Sequence, residues 1–529
     1  MIRVQDSPDL KNKYLSFVRT RSLFKEEIDA WLAFADLKEQ RQILGRNFSQ
    51  MRRLKLFIGE MLDLALPFLN KLRLDAPQDT FLFNTEEAET RLRLAEFLWN
   101  YFRTKLATRL TPQFKDALWA ADLITYNCYN TVMSKAEELG IPQTRKDVDG
   151  SPLRIRGEAP LPYLESGMQG IATLRRFDQK PFAGVMFKDG NERNRMLPIA
   201  VIEVPAILMR SMWELVVLAH EVSHDIDGDL NTLHYDLPDA VESAFKDAPD
   251  RGARWKGWAL EIFADLMALR LMGPAYARYC FQLLIKESVT AESSTVYPSN
   301  YLRMLLVLYY LREQLDGRAE ADEMEKNWRL LFGELPEIQA PYVKDFEIVA
   351  RTMMETPFAA LQDANKQNHR LAELVTFTAD DKKYIETTRQ ILQLIVDRLF
   401  PLTDLDEDEC RKRIGTEFAT YKIREIQFVD RPNRAVSINE AGEPPAARHV
   451  ASASYLAFEA LLKTSTAAEL PRRLNLLNLV AQELVKAKQP AIQLGDDNPG
   501  EAERKHMSNQ ARNLFEMVAS SAQHGTSRE

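Results

Sequence analysis

Two stripes of apolar residues stand near the start of the chain, and both repeat at helical spacing. Leu54, Phe57, Ile58, Met61, Leu62 and Ala65 follow the 3.6-residue period and share one helix face. Ala88, Leu92, Ala95, Trp99, Phe102 and Leu106 are spaced alternately four and three, and Asn84-Thr85-Glu86-Glu87 before them has the form of a capping box. Core packing explains both stripes without a ligand groove. Residues 1–145 are therefore expected to form a helical N-terminal region.

The texture changes near residue 146. Gly150-Ser151-Pro152, Gly157, Pro160, Pro162 and Gly167 punctuate short segments, and the apolar runs Phe182–Phe187 and Leu197–Val204 read as strands. Asp189-Gly190-Asn191 between them suggests a hairpin. The pattern then returns to helix. Leu215, Val216, Leu218, Ala219, Val222 and Ile226 predict a buried helix, with Ser211 to Glu214 as a capping box and Gly228 as a stop. A second apolar helix covers Trp258 to Leu269 and ends at Gly273-Pro274.

Beyond residue 320 helical spacing recurs at Ile391, Leu392, Ile395 and Leu399, and again at Leu474, Leu477, Ala481 and Leu484. Pro432, Gly442, Pro444 and Pro445 mark 431–450 as a linker or long loop. The organisation expected is a helical region over 1–145, a unit with the sheet over 146–320 and a helical region over 321–430. After the linker comes a helical region over 451–529, whose polar tail frays from Gln489 except at Ala511–Val518. The fold class is mainly α with a small β-sheet, an α+β arrangement.

Polar residues at particular positions of the two apolar helices add chemistry. His220-Glu221-Val222-Ser223-His224 reads H-E-x-x-H. Residues four apart on a helix lie one above the other, so the two imidazoles can reach one metal ion, with Glu221 beside it as a base. On the second helix Glu261 and Asp265 are again four apart, among Ile262, Phe263, Leu266 and Met267. Carboxylates in such surroundings need a cation or a donor. A metal for Glu261 and an imidazole N–H for Asp265 supply them.

H-E-x-x-H followed by E-x-x-x-D resembles the gluzincin metallopeptidases. The resemblance implies zinc held by His220, His224 and Glu261, Glu221 as general base, Asp265 as support for a histidine, and a zincin-like core within 146–320. The spacing from His224 to Glu261 is longer than in thermolysin-like members and nearer to the CAAX-protease-like branch. Tyr297-Pro298 followed by Arg303 is similar to that branch's His-Pro pair and arginine, with Tyr297 in the histidine's place. That likeness implies Tyr297 or Arg303 as donor to an oxyanion; the other reading is a helix start at Pro298 with Arg303 in a surface salt bridge. His234 is a candidate substrate contact. The family also implies a strand beside the motif helix that pairs with the substrate backbone, here Leu197–Val204 or its hairpin partner.

Other patterns fail. A metzincin needs Gly and His where Asp227 and Leu230 stand, and a calcium loop counted from Asp225 meets Leu230 and Asp236 at its Gly and Glu positions. Gly190 to Asn194 does not match the exopeptidase G-x-M-E-N pattern.

Composition narrows the setting. The 529 residues carry a net charge of −8 with no long basic block, so nucleic acid is not an expected partner. Cys128, Cys280 and Cys410 are far apart and odd in number, which fits a reducing compartment. The first residues lack the apolar segment of a signal peptide, and the best apolar run, Leu302–Leu311, contains Arg303 and is too short to span a bilayer. The expectation is a cytoplasmic zinc metallopeptidase, an endopeptidase of selected peptide or protein substrates, with room for a regulatory protein partner. The alternative is a helical interaction or regulatory protein with a structural or vestigial zinc site.

Overall fold

A computed structural model describes residues 7–35, 44, 47–71, 78–141, 144–146, 152–154, 159–165, 172–176, 196–209, 211–230, 233–285, 296–402, 406–420, 427–431, 434–437 and 446–487. The described residues are mainly helical, with small sheets of two or three strands. None of their helices is long and apolar enough to cross a membrane.

The strand Met196–Pro205 separates two cores. Its side chains alternate with the two-residue period of an extended chain. Leu197, Ile199 and Val201 join the N-terminal core, whereas Ile202 and Val204 join the larger one. Leu54, Phe57, Ile58, Met61 and Leu62 of the helix Phe48–Lys71 fill the N-terminal core as their spacing predicts. Ala88, Leu92, Ala95, Trp99, Phe102 and Leu106 of the helix Gln78–Ala107 meet them there. Arg109 fastens this layer to the rest. Its buried guanidinium donates to Asp122 at 2.6 and 2.8 Å, to Lys105 O at 2.9 Å and to Pro162 O at 2.7 Å. So many partners satisfy the fork of a buried arginine.

The larger core is continuous from Ala117 to Val485. Its centre is the pair of helices Leu218–Asp229 and Pro249–Met272, here called the motif helix and the carboxylate helix. The helix Lys115–Glu138 packs on the motif helix, and the C-terminal helices Ala447–Thr464 and Leu470–Ala487 complete the layer. Trp213 and Phe458 stack with ring centroids 5.0 Å apart, and Asn478 Oδ1 accepts the Met212 N–H. Residues on both sides of the expected 145/146 and 320/321 boundaries, among them Ile141, Leu215, Leu315 and Ala321, share this core.

Helix ends differ from expectation. The second N-terminal helix begins at Gln78, so Asn84 lies inside it and donates back to Thr80 O. Ser211 does not cap the motif helix with its side chain; its carbonyl closes a tight turn with Glu214 N, and Glu214–Val217 is a 3-10 turn running into the helix. That helix passes through Gly228 and stops at Leu230, whose side chain is buried. Gly273 does end the carboxylate helix. It has φ 63°, and a Cβ there would lie 2.2 Å from Cζ of Phe377. Pro274 starts the next helix, Pro274–Leu284.

Met196–Pro205 is a central strand, parallel to Leu161–Glu165 and antiparallel to Ala172–Arg176. Both neighbours pair along Val201–Glu203, whereas residues 196–200 pair on the Ala172–Arg176 side alone among the described residues. Phe182–Phe187, Asp189-Gly190-Asn191 and Ala511–Val518 lie outside the described residues. Within the expected 431–450 linker, Arg434–Ser437 pairs with Gln427–Arg431, and a helix begins at Ala447. A hairpin of Pro357–Gln362 and Asn368–Arg370 falls in the region expected to be helical.

His449 fixes the start of that C-terminal helix. Its Nδ1 accepts the Ala446 N–H at 2.9 Å, so Nε2 carries the hydrogen and donates to Asp381 Oδ1 at 2.6 Å. Burial and the neighbouring Arg448 charge lower its pKa from 6.5 to about 4. The unfolded chain then binds a proton between these values that the folded chain refuses, and stability falls as pH drops through the window. Urea unfolding of wild type should lose on the order of 3 kcal/mol more than His449→Gln between pH 7 and 4. Equal pH dependence in the two proteins would contradict this assignment.

Candidate metal centre

The motif helix and the carboxylate helix pack face to face, and buried Ala264 and Ala268 keep large side chains out of the contact. Each helix presents its polar pair at an i, i+4 spacing towards the other. His220 Nε2 and His224 Nε2 lie 3.2 Å apart. Glu261 reaches both, with Oε2 3.4 Å from the first and Oε1 3.6 Å from the second. One ligand atom from each residue falls within 4.8 Å of the others, and the group can hold a metal ion. Oε2 of Glu261 is buried and lacks an aligned hydrogen-bond partner. Such an atom is costly unless a cation answers it.

The charges in the group are strongly coupled. Burial works against an imidazolium at His220, but the carboxylates of Asp265 and Glu261 outweigh it and raise the pKa to about 9. Burial likewise resists ionisation of Glu261, yet His220 and His224 hold its carboxyl far below the usual range. A proton on His220 thus occupies the position that a metal ion takes, and the two compete for it.

Asp265 is the hub beneath. Arg303 donates to it from Nε at 2.6 Å and Nη2 at 2.7 Å, the Tyr276 hydroxyl donates at 2.6 Å, and His220 Nδ1 lies 2.9 Å away. The pair is almost wholly buried, with Asp265 at 2% and Arg303 at 8% exposure. Burial alone would favour the neutral acid; the charge and hydrogen bonds of Arg303 prevail and keep Asp265 ionised. Held so, it accepts from Nδ1 of His220 and turns Nε2 towards Glu261 and His224.

The remaining candidates lie around this hub. Arg303 is not in a surface salt bridge, because its helix, Asn300–Gln314, carries it into the core; the helix starts two residues after Pro298, with the Ser299 side chain as cap. Tyr297 is 45% exposed, with its ring 5.7 Å from the Arg303 guanidinium. Burial, then the charge of Glu261 and a hydrogen bond to it, push the phenol up to about 12. Glu221 is buried, and its charge acts on both Tyr297 and Tyr279. His234, on the helix Leu233–Ser243, has Nδ1 3.4 Å from Asp227 Oδ2.

Tyr276 escaped the sequence reading, since a tyrosine in an apolar helix looks like core. Only its place three residues after the Gly273 break hinted that its helix turns back over the carboxylate helix. Arg303 had a clearer signal, as the cation interrupting the most apolar run in the chain.

Comparison with protein-family models, curated proteins and solved structures gives no match.

Removing one member of a buried ion pair strands the other. Arg303→Met should therefore destabilise the chelator-treated protein by about 3–5 kcal/mol in urea unfolding. A loss below about 1 kcal/mol, the level of an exposed pair, would contradict the buried clamp.

Proposed function

We propose that this chain is a zinc-dependent endopeptidase of the gluzincin type, cleaving selected peptide or protein substrates. The observation that carries the reading is the convergence of His220, His224 and Glu261, with buried Glu221 next to His220 in the chain. Two imidazole nitrogens and a carboxylate oxygen suit zinc and leave a position open for water or substrate. The buried Glu261 Oε2 supports a cation at this point. A purely structural site has no need of a carboxylate such as Glu221 next to its ligands.

Zinc, when bound, supplies a Lewis acid that lowers the pKa of water towards roughly 7 and polarises a carbonyl. Glu221 takes the proton of the attacking water and returns it to the leaving amine. Asp265 and Arg303 keep His220 in the orientation and tautomer that direct Nε2 into the site. Tyr297 stays protonated at neutral pH and donates a hydrogen bond to the oxygen that gains charge as the scissile carbonyl becomes tetrahedral. Helices on both sides of the site restrict access, which favours a few substrates over general digestion.

The test is hydrolysis of a quenched-fluorescent peptide library by zinc-loaded protein. Activity should disappear with a chelator and return with zinc. Glu221→Gln should retain the zinc and lose at least about 100-fold in kcat. Equal rates for wild type and Glu221→Gln at equal zinc content would overturn the mechanism.

A further inference from the structure

A cavity of about 200 Å³ opens at the N-terminal end of the carboxylate helix. Arg251, Arg254 and Trp258 line it, and these positions continue the stripe that carries Glu261 and Asp265 along the same helix face. Ser299 and Leu302, just before Arg303, form part of the facing wall. Along that helix face Trp258 and Arg254 stand about one and two turns before Glu261.

The two guanidinium groups differ. Arg251 is committed to buried Asp345, 3.1 Å from Nε, and the Trp255 indole donates to the same carboxylate. Arg254 is exposed and makes no ion pair among the described residues, not even with Asp250 one turn before it on the cavity wall. Trp258 and Tyr342, with ring centroids 5.5 Å apart, provide apolar surface for the stem of a side chain. An uncommitted planar fork on a cavity that two aromatic rings also line is suited to a carboxylate.

We infer that this cavity is a specificity subsite in which Arg254 binds a carboxylate of the peptide substrate. The inference rests on the peptidase reading for its occupant. Arg254 precedes Glu261 by two helical turns, about 10 Å along the axis, and an extended peptide advances about 3.3 Å per residue. The carboxylate thus sits about three residues from the bond that is cut. An aspartate or glutamate side chain and a free C-terminus offer the same chemistry.

Binding of labelled peptides to zinc-loaded Glu221→Gln protein, read by fluorescence anisotropy, tests this without turnover. The peptides scan a single Glu, Gln or Lys along an otherwise neutral chain, each with a free or an amidated C-terminus. One carboxylate position should bind about tenfold tighter than its neutral counterpart. Arg254→Gln, made in the same protein, should erase the preference, and Arg254→Glu should turn it towards Lys. Sensitivity to Glu against Gln assigns the carboxylate to a side chain, and sensitivity to amidation assigns it to the C-terminus; either supports the subsite. The same preference in wild-type and Arg254→Glu backgrounds, no preference at all, or no peptide binding would overturn it. Hydrolysis by the Glu221-containing protein separates the two readings. Cleavage indifferent to charge leaves the peptidase and removes the subsite, whereas carboxylate binding through Arg254 without any cleavage does the reverse.

Discussion

One buried carboxylate, Asp265, is bound at once by the Arg303 guanidinium, the Tyr276 hydroxyl and Nδ1 of His220. Four elements meet at this group: the carboxylate helix, the motif helix, the helix after Gly273 and the helix Asn300–Gln314. A charge this deep persists only because each partner satisfies part of it, and each partner is in turn placed by it. The imidazole of His220 inherits its direction from that arrangement. Glu261, one turn from Asp265, inherits its own from the helix they share.

The rest of the fold serves to keep these helices where they are. Met196–Pro205 gives one face to each core and so couples the N-terminal helices to the layer that holds the site. The C-terminal helices, far away in sequence, press on the entry to the motif helix through Trp213 and Asn478. Gly273 turns the chain sharply where a side chain would collide with Phe377, and that turn delivers Tyr276 to Asp265. The flanking segments thus act as the frame of the site.

How far the sequence disclosed this follows from the range of each interaction. The N-terminal stripes, the two site helices and the strand at 197–204 were legible because burial imposes a period on neighbouring residues. The grouping of His220, His224 and Glu261 was legible because polar residues at i, i+4 in apolar helices require a partner. Helix starts were not: Asn84 and Ser211 have capping composition, but the preceding turns continue the helix or tighten into a 3-10 segment. Nor were the contact of Tyr276 with Asp265 across the Gly273 turn, the Arg303–Asp265 clamp and the Asp381–His449 contact, the last two of which join residues 38 and 68 positions apart. No local pattern encodes a pairing of that kind.

The central claim is that His220, His224 and Glu261 form a single metal centre, and native mass spectrometry of protein purified without chelator addresses it directly. The account predicts one zinc ion per chain in wild type and in Glu221→Gln, and its loss in Glu261→Ala. A wild-type chain that carries no zinc and takes none up, or a Glu261→Ala chain that holds it as firmly as wild type, would contradict the centre described.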